Sequence, residues 1–517
     1  MFLLAFQTEA QGFLIELAQF LGGPLPFSQS FGQGVALTTG ATRAMQACDG
    51  IPTRRIGDRH SAEKFFAPNP AETATSFPMQ CSLNNLLPLA LVLCGALFPQ
   101  RAGSAEKTSA PAVQPWRTIK LDPDYSGAWV VAGDLDGDGA VEIVSARNVD
   151  QNDVHFTSAV VAQRLDGSIL WRWGDPKIGR RKLHHDVACQ IYDWDGDGKN
   201  EVVLCADGFL VELDGATGKE KRRLPLPKGA TDCLTFVNLS GNARPTDVLV
   251  KTRYTQIWAY DRNGKQLWTV EKPGGYLTAH QPVAVDLDGD GRDEIMAGFA
   301  MLNADGATRW VFKSEKIEQG RGHCDCFRLL RSGKKPEDFR FVITMCGANG
   351  IAMLDGRGKP MWEVGGEHFE SVDVGKICAA ADGLQMAVDI DHRPWGDGPV
   401  WVLDERGQIK TKITTDYARH HALLDWTGDG LDEIVVAQSR TLYDGQGRIV
   451  ATLAWDAKDD ADGEERLALI GDFTGDGIPD VLLTTRAMTH VCIYKNECGK
   501  RPNPPARLGT GINFTLY

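Results

Sequence analysis

The sequence lacks a surplus of positive charge: 55 Lys and Arg stand against 68 Asp and Glu, a formal net charge of −13. A protein that grips nucleic acid by neutralising phosphates needs the opposite balance, so nucleic acid is excluded as a partner. The chain also lacks an apolar run of the roughly 18 to 20 residues required to cross a membrane as a helix, so no membrane span is expected. Its 12 cysteines contain no Cys-x-x-Cys pair, and Cys324-Asp325-Cys326 alone is a poor zinc signature. With 43% hydrophobic and 24% charged residues, disorder is not its main state. What is plentiful is glycine, 56 of 517 residues, accompanied by 13 Trp. That pairing points to many tight turns between aromatic-bearing strands, and so to an all-β repeat protein.

Residues 86–98 (LLPLALVLCGALF) have the length of a signal-peptide core, and the small residues Ala102 to Ala105 that follow suit a cleavage site. Residues 79–105 are therefore read as a signal peptide, residues 1–78 as a mis-assigned start or disordered extension, and residues 110–517 as the folded part. A secreted or periplasmic monomer is expected. Nine cysteines follow the cleavage site, an odd number, so at least one thiol has no partner within the chain. Cys189 and Cys205 are symmetric about the turn centred on Asp197, which allows a disulfide between paired strands or two buried thiols.

An acidic loop recurs, beginning at Asp134, Asp193, Asp286, Asp425 and Asp472, with a worn copy at Asn238 (NLSGN). Successive starts lie 59, 45, 48, 139 and 47 residues apart. The long interval is three periods, so two copies without acidic loops are expected near Leu329 and Ala381, which makes eight units. Each unit reads as an apolar strand, the loop, a second strand (EIVSA, EVVLC, EIMAG, EIVVA, DVLLT), then two more strands joined by an Asp-Gly or Asn-Gly turn. Trp strands (ILWRW, QLWTV, TRWVF, PMWEV) follow several of these turns. Four short antiparallel strands per period are propeller blades, so the expected fold is a single all-β propeller of eight blades, with seven as the alternative. The last unit ends after its third strand (HVCIY), and the segment Trp116 to Leu121 is expected to supply the fourth and close the ring.

The loops also carry chemistry. Positions 1, 3, 5 and 9 of the first are Asp134, Asp136, Asp138 and Glu142; of the second, Asp193, Asp195, Asp197 and Glu201; of the third, Asp286, Asp288, Asp290 and Glu294. Thr427 and Thr474 replace one acid in the last two, leaving Asp425, Asp429, Glu433 and Asp472, Asp476, Asp480 as weaker sets. Alternate oxygen donors around a glycine turn suit Ca²⁺, the expected cofactor, whose bland role is to staple a strand-to-strand turn. Over about residues 125 to 490 the loops resemble the FG-GAP/VCBS-type calcium repeats of integrin-like and bacterial secreted propellers, a resemblance that specifies fold better than function.

Basic residues share one phase of the repeat. His184 and His185 precede Asp193 by nine and eight residues, His280 precedes Asp286 by six, His420 and His421 precede Asp425 by five and four, and His323 precedes Leu329 by six. In a propeller that phase falls on one rim of the central channel, with Asp232, Arg253, Tyr254, Tyr276, His368, Glu370, Tyr417 and Arg419 as further rim candidates. His155, His392 and His490 lack the phase and are read as packing residues. A basic rim on an acidic protein attracts anions bearing hydrogen-bonding groups, such as an acidic polysaccharide or oligosaccharide. β-Elimination in a uronate polymer needs neutralisation of the C6 carboxylate, a base for the C5 proton and an acid for the leaving oxygen. The constellation resembles secreted propeller polysaccharide lyases acting on rhamnogalacturonan, ulvan or rhamnose-glucuronate linkages. By chemistry and phase, His185 or His184 is the base, Tyr254 or His280 the acid, and Arg253 with Arg419 the neutralisers; His323, His420 and His421 complete the catalytic set. Two alternatives are a non-catalytic propeller binding glycans or proteins, and a quinone-dependent dehydrogenase-like propeller suggested by LDGATGKE at 213–220 and the Trp strands.

Overall fold

Short apolar runs bounded by Gly-containing turns bury little alone, and here they assemble into eight four-stranded antiparallel sheets arranged as a propeller. The computed structural model describes residues 110–517 apart from 152–153, 318–321, 392–397, 416–418 and 457–464. The readings of residues 1–78 and 79–105, of His392 and of Tyr417 lie outside the described residues. Among those described, the only helices are the 3₁₀ turns Pro273–Gly275 and Pro336–Asp338, and no helix is long and apolar enough to cross a membrane.

Blade 1 comprises Val130–Gly133, Glu142–Gln151, Val154–Arg164 and Ile169–Gly174; blade 2, Cys189–Tyr192, Glu201–Ala206, Phe209–Asp214 and Glu220–Pro225. Blade 3 runs from Cys233–Val237 to Gln266–Glu271 and blade 4 from Thr278–Val285 to Thr308–Val311. The two units without acidic loops are blades 5 and 6, from His323–Arg331 to Pro360–Gly365 and from Phe369–Gly375 to Ile409–Thr415. Blade 7 spans His421–Leu424 to Ile449–Leu453, with Ala112–Val113 added in parallel at its outer edge. Blade 8 takes Ala468–Gly471, Asp480–Thr484 and His490–Tyr494 from the end of the chain and Arg117–Lys120 from its described beginning. Arg117–Lys120 pairs antiparallel with His490–Tyr494, so the ring closes as the interrupted last repeat requires.

Second strands such as Glu201–Ala206, Asp247–Lys251 and Asp480–Thr484 are buried at every position, because adjacent blades cover both faces. Fourth strands alternate, as in Glu220–Pro225, because they form the outer edge. The Trp strands lock neighbouring blades: the indole N–H of Trp171 donates to the Gly215 carbonyl, Trp268 to Ala304, Trp310 to Gly356 and Trp362 to Glu405, at 2.6 to 3.0 Å. The turn beneath must be glycine. At Gly306, with φ +83°, a Cβ would come within 2.8 Å of the Trp268 ring.

All nine described cysteines are free thiols, so the disulfide alternative at Cys189 and Cys205 does not hold. Cys189 opposes Leu204, one residue short of Cys205. Because successive side chains alternate faces, the two sulfurs enter different core clusters.

The segment from Leu508 to Tyr517 lies against the innermost strands of blades 1 to 5. Thr510 N–H donates to the Ala132 carbonyl at 2.9 Å, Asn513 exchanges two hydrogen bonds with the Phe236 backbone, and Phe514 pairs with the Gln190 amide. The Arg328 guanidinium donates to the Tyr517 carbonyl.

Candidate active site

The first strands begin at one end of the channel, and the polar residues there are held by the strand register. His184 lies in the approach to blade 2; its Nδ1 donates to the Asp186 carbonyl at 2.9 Å, which leaves Nε2 to accept from Arg253 at 3.1 Å. Arg253 also donates to His155 Nε2 at 3.0 Å and lies 3.6 Å from Asp186. Beneath it, fully buried Lys251 donates to Asp232 at 2.5 Å and to the carbonyls of Thr252 and Arg253 at 3.2 and 2.7 Å, which fixes the Arg253 backbone. His280 Nδ1 meets Asp186 Oδ1 at 2.9 Å, and its Nε2 lies 3.5 Å from both the Tyr254 hydroxyl and Asp325; His323 Nε2 is 3.0 Å from the same Asp325 oxygen.

Across the mouth, His185 and His420 both meet Glu465 Oε2, at 3.2 and 2.6 Å. Arg419 bonds Asp391 and lies 3.7 Å from Glu370 and from Glu465, while His368 meets Glu370 at 2.8 Å. A chain of ring contacts joins the two halves: His420 stacks on His185 at 5.2 Å, His185 meets the edge of Tyr517 at 5.6 Å, and Tyr517 stacks on His280 at 4.0 Å. His280 then meets Tyr254 at 5.4 Å and His323 at 5.1 Å.

His184, His185, Arg253, Tyr254, His280, His323, Arg419 and His420 are thus brought together, with Asp232, His368 and Glu370. His421 is not. It is the residue after His420 and points to the opposite side of its strand, with its side chain buried against the Ala387 carbonyl at 3.1 Å and 3.8 Å from Asp373. Tyr276 packs in the blade 4 core against Phe299 instead of the rim. His490 lies in blade 8 beside Thr489. Sequence phase missed His155, Asp186, Asp325, Asp391, Glu465 and Tyr517. Asp325 was recoverable, since two residues from His323 along a strand means the same face. Glu465 sits in a connection outside the strand repeat and Tyr517 beyond the last unit, so neither has a phase.

Burial and the surrounding cations tune these groups. Burial, with His420 and Arg419 nearby, lowers His185 to about 4 against the Glu465 contact. Burial and His184 lower His155 to about 3, and burial and His280 do the same for His323. Burial would raise Glu465, but its bonds to His185 and His420 hold it well below the usual range. Burial pushes the Tyr254 phenol up, so it keeps its proton through neutral pH. The site therefore offers neutral imidazoles, a protonated phenol and a permanent cation side by side. Trios such as His280, His323 and Asp325, or His368, Glu370 and Asp391, have donor atoms close enough together to share one metal ion.

The acidic loops lie away from this site, and their bonding tests the fit to calcium. In all five, one oxygen of the position-9 acid accepts the position-2 amide, from Leu135 to Glu142 at 2.9 Å through Phe473 to Asp480 at 3.0 Å. Gln385 accepts the Ile377 and Cys378 amides in the same way in blade 6, so this brace needs no charge. In the Asp134 loop, Asp136 Oδ1 is buried without a partner, and burial with Asp136, Asp138 and Asp134 raises Glu142 to about 7. A divalent cation would relieve both, so that loop fits Ca²⁺.

The model of the rhamnogalacturonan lyase family 11 C-terminal domain matches residues 120–221 and 245–501. Rhamnogalacturonan endolyase YesW of Bacillus subtilis (strain 168) is 27% identical over 379 residues, which cover 58% of this chain and 58% of that protein. Rhamnogalacturonan exolyase YesX of the same organism is 29% identical over 349 residues, 55% of this chain and 53% of that protein. The chain thus spans little more than half the length of these relatives. Among solved structures, rhamnogalacturonan lyase YesW superposes with a TM-score of 0.54 at 20% identity, covering 74% of this chain and 75% of that one. A Bacillus licheniformis rhamnogalacturonan lyase gives 0.52 at 21%, covering 75% and 74%. These superpositions carry the propeller fold, and the match over more than half of the sequence places this chain in rhamnogalacturonan lyase family 11.

Proposed function

We propose that this protein is an exported polysaccharide lyase that cleaves a rhamnogalacturonan-type, uronate-containing polymer by β-elimination at the channel mouth. The observation that carries this reading is the convergence of neutral His185, protonated Tyr254 and cationic Arg253 on one end of the channel, in a chain of this family. Arg253 neutralises the uronate carboxylate, which acidifies the adjacent C–H. His185 removes that proton: its Nε2–H is given to Glu465, leaving Nδ1 as the basic atom. Tyr254 protonates the leaving oxygen. Arg419 stands among Asp391, Glu370 and Glu465, so its charge is balanced internally and it positions Glu465 and His185. Calcium supplies a structural staple in the acidic loops, foremost the Asp134 loop. Export rests on the apolar stretch at 86–98.

Each turnover creates a double bond in the new uronate end, which absorbs in the ultraviolet. The protein is expected to raise that absorbance on rhamnogalacturonan and not on a neutral polysaccharide. Retention of the polymer without any absorbance change would make it a binding module instead.

A further inference from the structure

We propose that Lys221 and Arg309 are resident counter-ions that hold the Asp193 and Asp286 loops in place of calcium. Lys221 Nζ lies 2.5 Å from Asp195 Oδ2 and 2.8 Å from Glu201 Oε1, between the position-3 and position-9 acids. Arg309 Nη1 makes the same bridge in the third loop, 2.8 Å from Asp288 Oδ2 and 2.7 Å from Glu294 Oε1. Both are the second residue of their blade's fourth strand, Glu220–Pro225 and Thr308–Val311, so the blade register delivers a cation to the loop. In blades 1 and 7 that place holds Leu170 and Val450, which cannot deliver one.

The remaining acid–amide bonds are common to these loops and the Asp134 loop, where Asp134 accepts the Gly137 and Gly139 amides at 2.7 and 3.1 Å, so the bridging cation is what sets the loops apart. Asp193 accepts the Gly196 and Gly198 amides at 2.8 and 3.2 Å, and Asp197 accepts the Lys199 amide at 2.9 Å. The Arg244 guanidinium bonds the Asp193 and Trp194 carbonyls, placing a second positive group on that loop. An ammonium and a Ca²⁺ ion cannot share the gap between Asp195 and Glu201, because like charges at that separation repel strongly in a partly buried site. Calcium would have to displace a side chain already hydrogen-bonded on both sides. In the Asp134 loop the nearest guanidinium, Arg164, bonds Asp136 alone at 2.9 Å and leaves Glu142 unbridged.

The inference refines the calcium reading above and rests on it only for comparison with the Asp134 loop. The test counts Ca²⁺ bound by chelator-treated full-length protein in calorimetry, for wild type, Lys221→Met, Arg309→Met and Asp193→Asn. Methionine keeps the stem and removes the charge. Lys221→Met and Arg309→Met are each expected to bind one more Ca²⁺ per chain than wild type, and Asp193→Asn the same number as wild type. A loss of one ion in Asp193→Asn overturns the proposal without needing the Lys or Arg variants to fold. Absence of any gain in folded Lys221→Met and Arg309→Met overturns it as well. Wild type binding none while those two variants each bind one upholds the counter-ions and sinks the calcium reading of the Asp134 loop instead.

Discussion

His185 and Glu465, 280 residues apart in sequence, meet at 3.2 Å across the channel mouth, and the same carboxylate oxygen takes His420 at 2.6 Å. One carboxylate thus sets the orientation of two imidazoles from different blades. Its two His bonds outweigh the cost of burial and keep it ionised, so it acts as a fixed acceptor through the ordinary pH range.

The pH profile follows from this pair. His185 works as a base only when neutral, and its pKa sits at about 4 instead of the ordinary 6.5. Activity on rhamnogalacturonan is therefore expected to stay level from neutral pH through pH 5 and to fall as pH drops through about 4. Glu465→Gln removes the contact that raises His185, so it moves that acid limb lower and cuts the rate by misorienting the ring. His185→Ala is expected to lower kcat by about 10²–10⁴-fold with the melting temperature nearly unchanged. An acid limb at about 6.5, or unchanged activity in His185→Ala, removes His185 as the base.

Arg253 gives a prediction about charge. Its guanidinium donates to His155 and His184 and stands at the mouth, so Arg253→Met removes a cation from the place assigned to the uronate carboxylate. A charged hydrogen bond is worth about 1.5–3 kcal/mol, so kcat/KM on rhamnogalacturonan is expected to fall about 10- to 100-fold. On a methyl-esterified substrate, which has no carboxylate to neutralise, the penalty is expected to shrink. An equal loss on both substrates makes Arg253 a positioning residue.

The ring and its closure were legible in the sequence because both follow from periodicity. Reading the long interval between the Asp286 and Asp425 loops as three periods counted the blades through the two silent units, and the missing strand after His490–Tyr494 pointed to Arg117–Lys120. The site was only partly legible. Phase found His184, His185, His280, His323 and His420, since equivalent strand starts converge on one rim. It misplaced His421, because one step along a strand reverses the side chain, and it overlooked His155, which reaches the rim from the long third strand of blade 1. Glu465 and Tyr517 lie outside the repeats, and only tertiary packing brings them in. The position-9 acids show a different limit: spacing marks them as oxygen donors, but only the bonding shows that each also braces the position-2 amide.

The buried pair Lys251 and Asp232 predicts a stability effect with a catalytic echo. Both side chains are 1% exposed and 2.5 Å apart, and Lys251 also holds the Arg253 carbonyl. Lys251→Met strands a buried carboxylate, so a loss of about 3–5 kcal/mol is expected in denaturant unfolding. Adding Asp232→Asn should recover part of that stability by removing the stranded charge. Activity should not recover with it, since the 2.7 Å Lys251 bond to the Arg253 carbonyl is still missing and only the longer 3.4 Å bond from the Thr278 hydroxyl remains.

Ring closure predicts the reverse separation. Ile119 is 1% exposed, sits at the centre of Arg117–Lys120 opposite Val491, and packs in the core shared by blades 8, 1 and 2. Ile119→Ala leaves a cavity there and is expected to cost about 2–5 kcal/mol. Among the described residues, none of the channel-mouth side chains belongs to that core, so kcat per folded molecule is expected to stay at the wild-type value while the unfolding midpoint drops. Deleting residues 110–120 goes further, because it exposes the edge of His490–Tyr494 and leaves blade 8 with three strands. That variant is expected to associate through the open edge. A monomer of wild-type stability would mean that the pairing of Arg117–Lys120 with His490–Tyr494 does not close the ring.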